Sequence, residues 1–159
     1  MQHLSESARM SSAAEARFRL QAPNSRPRAI TVIGLDASGA EAVRRLAAGG
    51  WSHATFFTVA SPGQLKRLDG LTVGVDEQVR AADLVVMVTS AEGRSQAAAE
   101  IGSVCSDRRV NTTTLIVGAI DAPDDRLSRT LAQVRPWSLM LVLAADEQYI
   151  TDMMTALRA

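Results

Sequence analysis

The chain has 159 residues, with 17 lysines and arginines against 17 aspartates and glutamates, 47% hydrophobic residues and a single cysteine. A domain of this length hides roughly 70% of its unfolded surface, so its core needs no staple, and Cys105 alone can build neither a disulfide framework nor a cysteine-rich zinc site. Zero formal charge argues against the basic face of a nucleic-acid binder, and the longest apolar run, residues 139–145, is far short of the ~20 residues that cross a bilayer.

Residues 1–28 form an arginine-rich arm, with Arg9, Arg17, Arg19, Arg26 and Arg28 against Glu6 and Glu15, closed by Pro23-Asn24-Ser25-Arg26-Pro27. No apolar stretch precedes Pro23, so no export signal is read there and a cytoplasmic location is expected. A helix over residues 5–20 or plain disorder accounts for the arm, and Phe18 and Leu20 could dock it on a neighbouring subunit. The domain proper is expected over residues 29–159. Short β-branched runs there alternate with helical periodicity, which predicts an α/β, three-layer, Rossmann-like doubly wound sheet, mostly parallel and six-stranded. The expected strands are residues 29–33, 54–59, 71–75, 84–88, 112–118 and 138–143. Their nearly continuous apolar character fits strands covered on both faces.

Helix starts are also legible. Ser61-Pro62-Gly63-Gln64 has a capping hydroxyl, a proline at the first helical position and a reciprocal glutamine. Asp121 and Pro123 lead into a helix whose Leu127, Leu131 and Val134 share one face, with Asp124 and Asp125 in its first turn, where the macrodipole favours carboxylates. Asp146 opens a last helix carrying Ile150, Met153, Met154 and Leu157, with the methionines read as core filler. Cys105 falls mid-helix, away from the helix start or cation that activates a thiolate. His3 and His53 have no companions that would make a metal site.

Ligands of an open parallel sheet sit beyond the carboxyl ends of its strands, where the winding reverses. The first such loop reads Val32-Ile33-Gly34-Leu35-Asp36-Ala37-Ser38-Gly39-Ala40-Glu41-Ala42-Val43. Gly34 and Gly39 fit the outer positions of G-x-G-x-x-G. Asp36 takes the middle one, where a glycine normally admits a pyrophosphate and a carboxylate would repel it. A second reading makes this a tight turn in which Asp36 or Ser38 caps the next helix. The end of the second strand lacks the acidic residue that holds an adenine ribose, which disfavours dehydrogenase chemistry. The loop after the strand at 84–88 offers Thr89, Ser90, Gly93, Arg94 and Ser95 as anion donors before a helix, against Glu92, or else is a plain capped turn.

Together these loops resemble the nucleotide-binding domain of the tubulin and FtsZ family, whose first turn has the form VIGVGGxGGNAV. Ala82-Asp83-Leu84-Val85-Val86-Met87-Val88 looks like the stretch before the family's GGGTGTG phosphate loop. Ala99-Glu100-Ile101-Gly102, Thr114-Leu115-Ile116-Val117-Gly118 and the run from Leu131 to Leu143 are similar to later family elements. The resemblance spans about residues 29 to 157. It implies a site at Gly34, Asp36, Ser38, Gly39, Thr89, Ser90, Gly93, Arg94 and Ser95, with GTP or GDP as the ligand class. The departures point the other way: Ala91-Glu92-Gly93-Arg94-Ser95-Gln96-Ala97 stands for the phosphate loop, and Asp36 and Glu41 stand for a glycine and a guanine-contacting asparagine. The segment from Gly70 to Ala82 is too short for the family's third loop, and the second domain is expected to be missing.

The expectation is therefore a non-catalytic FtsZ-like module with a degenerate nucleotide site. It would act as a homo-oligomeric binding or scaffold protein, with Trp51, Trp137 and Phe18 as interface anchors if they are not core, and a protein partner is compatible with this. The alternative is a nucleotide- or anion-binding switch using residues 34–39 and 89–95, and a weaker one is an NADP-binding reductase. No GTPase activity, tight cofactor, metal, membrane or nucleic-acid partner is expected.

Overall fold

A computed structural model describes residues 27–92 and 94–159. The expected helix or disorder of the arm, with Phe18 and Leu20, lies outside those residues, as does Gly93. The described chain runs β1 (Ile30–Gly34), α1 (Ala37–Ala47), β2 (Ala54–Ser61), β3 (Gln64–Arg67), β4 (Thr72–Gly74) and α2 (Val75–Arg80). It continues with β5 (Leu84–Ser90), α3 (Ala97–Arg108), β6 (Asn111–Val117), α4 (Asp124–Val134), a 3-10 turn (Arg135–Trp137), β7 (Met140–Ala144) and α5 (Glu147–Ala156).

The expected α/β doubly wound architecture is what the chain adopts, with one strand more than predicted. One sheet of seven strands has the order β4-β3-β2-β1-β5-β6-β7. The five strands β2, β1, β5, β6 and β7 are parallel, and β3 and β4 extend the β2 edge as an antiparallel meander. Strands β1 and β5 are buried along their whole length because helices cover both faces. On one face, Ala42, Val43 and Leu46 of α1 and Ile150 and Met154 of α5 pack on Val32, Phe56, Val86 and Leu115. On the other, α2, α3 and α4 bring Val79, Ile101, Cys105 and Val134 onto Ile33, Phe57, Val85, Met87 and Ile116.

The extra strand corrects the helix start expected at Ser61-Pro62-Gly63-Gln64. That tetrapeptide is the turn of the β2–β3 hairpin, with Pro62 ahead of Gly63 at φ +74°. Proline before a glycine of positive φ is the chemistry of a type II turn, and it serves here in place of a capping box. Beyond it, Leu65 is buried while Gln64 and Lys66 are exposed, the alternation of a strand with one covered face. Gly63→Ala keeps every contact but forces a side chain into the left-handed region, so a loss of about 1 kcal/mol by urea unfolding is expected. The strand predicted at 71–75 shortens to β4, and Val75 instead opens α2, which was not anticipated. Its Asp76 pairs with Arg108 of α3 at 2.8 Å and with Arg80 at 2.8 Å.

Both tryptophans are half-buried and pack against the core. Trp51 donates Nε1–H to the Leu46 carbonyl at 2.7 Å. Trp137 lies so close over α3 that a Cβ on Gly102 would stand 2.3 Å from its own Cβ.

Candidate functional site

The winding direction changes between β1 and β5. From β1 the chain passes through α1 to β2 on one side, and from β5 through α3 to β6 on the other. The loops leaving these two strands therefore face each other, which is where an open α/β sheet places its ligand.

Asp36 sits between them. Its backbone is extended, at φ −131° and ψ 179°, and it is the N-cap of α1, with Oδ1 accepting from the Gly39 amide at 2.7 Å. Its other oxygen, Oδ2, accepts from the Ser90 amide at 3.0 Å, the Ser90 hydroxyl at 2.6 Å and the Thr89 hydroxyl at 3.1 Å. The donors that a phosphate would use at a helix N-terminus and at the facing loop thus converge on one side-chain carboxylate. Deeper in, Thr89 Oγ1 and Ser95 Oγ lie 2.5 Å apart, and the Ser95 amide donates to Gln133 Oε1 at 2.8 Å. Thr89 and Ser95 are both fully buried, so the second loop spends its hydroxyls on the protein itself.

The fingerprint glycines have a packing reason. A Cβ on Gly34 would stand 2.6 Å from the Ala40 backbone, and one on Gly39 would stand 2.2 Å from the Val88 carbonyl oxygen. Neither has a positive φ. These residues let α1 lie close against the ends of β1 and β5, a need that holds with or without a ligand.

The sequence-read site residues thus separate. Gly34, Asp36, Gly39, Thr89, Ser90 and Ser95 meet at the β1–β5 junction. Ser38 is exposed, at the margin of a cavity. Arg94 is exposed and lies outside that cavity's lining. The cavity, of about 600 Å³, opens over the carboxyl ends of β5 and β6 and is lined by Ser38, Ser90 and Gly118 among small residues. Its charged lining is four carboxylates, Glu41, Glu92, Asp146 and Glu147, against two guanidiniums, Arg45 and Arg126. Arg45 is already engaged by Glu147, with Nε donating at 2.8 Å, and that hydrogen bond holds the Glu147 carboxyl below the usual glutamate range. With Glu147 paired to Arg45, the remaining lining is three carboxylates against one guanidinium, a negative surplus that opposes a polyphosphate.

Sequence reasoning did not place Arg45, Arg126, Asp146 and Glu147 at this mouth. Arg45 and Glu147 are 102 positions apart, and only the folding of α5 onto the face that carries α1 joins them. Cys105 is buried, and desolvation pushes its thiol up to about 11, so it is an inert core group as expected. Among the described residues no three histidine, cysteine or acidic side chains cluster to hold a metal, and no helix is long and apolar enough to cross a membrane.

No family model matches the sequence, and no curated protein matches it. Among solved structures, the chain is similar to translation elongation factor SelB from Methanococcus maripaludis, in complex with the GTP analogue GppNHp. The TM-score is 0.45 at 10% identity, over 80% of this chain and 33% of that one. The chain thus spans about a third of the length of that protein.

Proposed function

We propose that this chain is a Rossmann-like module, akin to the nucleotide-binding half of the tubulin and FtsZ family, that works as a binding or scaffold protein through its surface and does not turn over nucleotide. One observation carries this reading: the carboxylate of Asp36 takes up the donors of Gly39, Thr89 and Ser90 at the topological switch point. A phosphate entering there would have to displace a charge that is covalently present and already accepts four hydrogen bonds from the protein. The surplus of carboxylates around the cavity mouth supports the same conclusion.

Isothermal titration of the purified chain with GTP, GDP, ATP, NAD and NADP tests it. No heat of saturable binding is expected for any of the five. Micromolar binding of GTP with hydrolysis would replace this reading by the nucleotide-switch alternative. In that case Arg94→Ala, within the second loop, would weaken affinity by about 1–3 kcal/mol, the cost of a lost charged hydrogen bond.

A further inference from the structure

The sheet ends in β7, which among the described strands has a neighbour, β6, on one side only. Natural edge strands are guarded by lysine, proline, a bulge or brevity. Residues 138–145, Ser-Leu-Met-Leu-Val-Leu-Ala-Ala, contain no charge and no proline. Leu139 is 74% exposed, Met140 45% and Leu143 48%, so apolar side chains flank the open edge on both faces of the sheet. The Leu139 amide donates to the Thr112 carbonyl on β6 at 3.1 Å. By the alternation of a strand, the backbone groups of Leu139, Leu141 and Leu143 then face β6, and those of Met140 and Val142 face outward, while Ala144 at the strand's end is buried. A row of unsatisfied amides and carbonyls beside leucines is the complement of another apolar strand.

We propose that β7 pairs antiparallel with β7 of a second copy of this chain, with Leu141 on the two-fold axis, so that the two sheets become one. A strand can pair with itself about a two-fold only if outward-facing residues meet one another. Centring on Leu141 sets Met140 against Val142 of the second copy as a hydrogen-bonded pair. It also sets Leu139 against Leu143 as a non-hydrogen-bonded pair, where side chains approach closest. Each exposed leucine then covers the other, and three leucine pairs line one face. Centring on Val142 would instead leave Leu139 facing Ala145.

Charge selects the same orientation. Arg135 precedes β7 and Asp146 follows it, both exposed. Antiparallel pairing lays the arginine end of one copy beside the aspartate end of the other, whereas parallel pairing would put like charges together. This dimer depends on the reading above only in that the module acts through its surface, and it forms without ligand, so nucleotide titration and dimerisation can fail separately.

Sedimentation velocity on the full chain over micromolar concentrations is expected to show a reversible dimer. Leu143→Lys, at an exposed position, places a charge against an apolar neighbour and should weaken dimerisation about tenfold or more. Mild oxidation of an equal mixture of L139C and L143C should give a disulfide-linked heterodimer. Neither variant oxidised alone should link, because positions 139 and 143 meet only each other and Cys105 is buried. A chain that stays monomeric, a dimer indifferent to L143K, or L139C that links to itself would overturn the proposal. A monomer in which residues 1–26 protect the Val142 amide from hydrogen exchange would do the same.

Discussion

Asp36→Ala should lower the unfolding free energy by about 3 kcal/mol, more than loss of an ordinary helix cap, for which about 1 kcal/mol is typical. The difference lies in what Asp36 joins. Its Oδ1 caps α1 through Gly39, while Oδ2 holds Ser90 by both backbone and side chain, and Thr89 by its hydroxyl. Thr89 and Ser90 are buried, so water replaces those bonds poorly. Thr89 keeps its bond to Ser95, which limits the loss. Asp36→Asn keeps the size and one acceptor oxygen and should fall about midway. Urea unfolding of the three proteins measures this series. A loss below about 1 kcal/mol for D36A would mean that the carboxylate is a surface cap only. The same variant leaves a vacant ring of donors. Inorganic phosphate at high millimolar concentration should therefore raise the unfolding midpoint of D36A and leave that of the natural protein unchanged.

Gly39→Ala should cost about 3 kcal/mol or more, a large figure for one methyl group. The added Cβ would lie 2.2 Å from the Val88 carbonyl oxygen and 2.9 Å from Asp36 Oδ1. Val88 cannot turn aside, because its carbonyl accepts the Leu35 amide at 2.9 Å and β5 is central in the sheet. The first turn of α1 would have to lift away, taking the Asp36 cap with it. Gly70→Ala is the control: that glycine has φ +101° with nothing within 4 Å of an added Cβ, so only backbone conformation is at stake and about 1 kcal/mol is expected. Thermal or urea unfolding ranks the two. Equal losses would mean that close packing is not what selects glycine at position 39.

The parallel strands were legible because burial on both faces leaves an apolar run that little else produces. Asp146 was legible as a cap because the Tyr149 amide that donates to its carboxylate is only three residues away. The hairpin at Pro62-Gly63 was not, since a hydroxyl, a proline and a glutamine satisfy the pattern of a helix start as well as that of a turn. Only the positive φ of Gly63 and the pairing of β3 with β2 decide between them. At the site, the intrusion of Asp36 could be read from its place between two fingerprint glycines. Its partners could not, because Thr89 and Ser90 are more than fifty positions away and meet it only when β1 and β5 lie side by side. The acidic rim was hidden for the same reason. Glu41 and Glu92 could be weighed in the sequence, but Asp146 and Glu147 join them from the far end of the chain.

Whether the carboxylate of Asp36 holds the place of a phosphate is answered most directly by the amide resonances of Gly39 and Ser90 in a ¹⁵N-labelled chain titrated with GTP and magnesium. Both should stay in place in the natural protein up to millimolar nucleotide and move in D36A. Saturable shifts of these two amides in the natural protein would contradict the account.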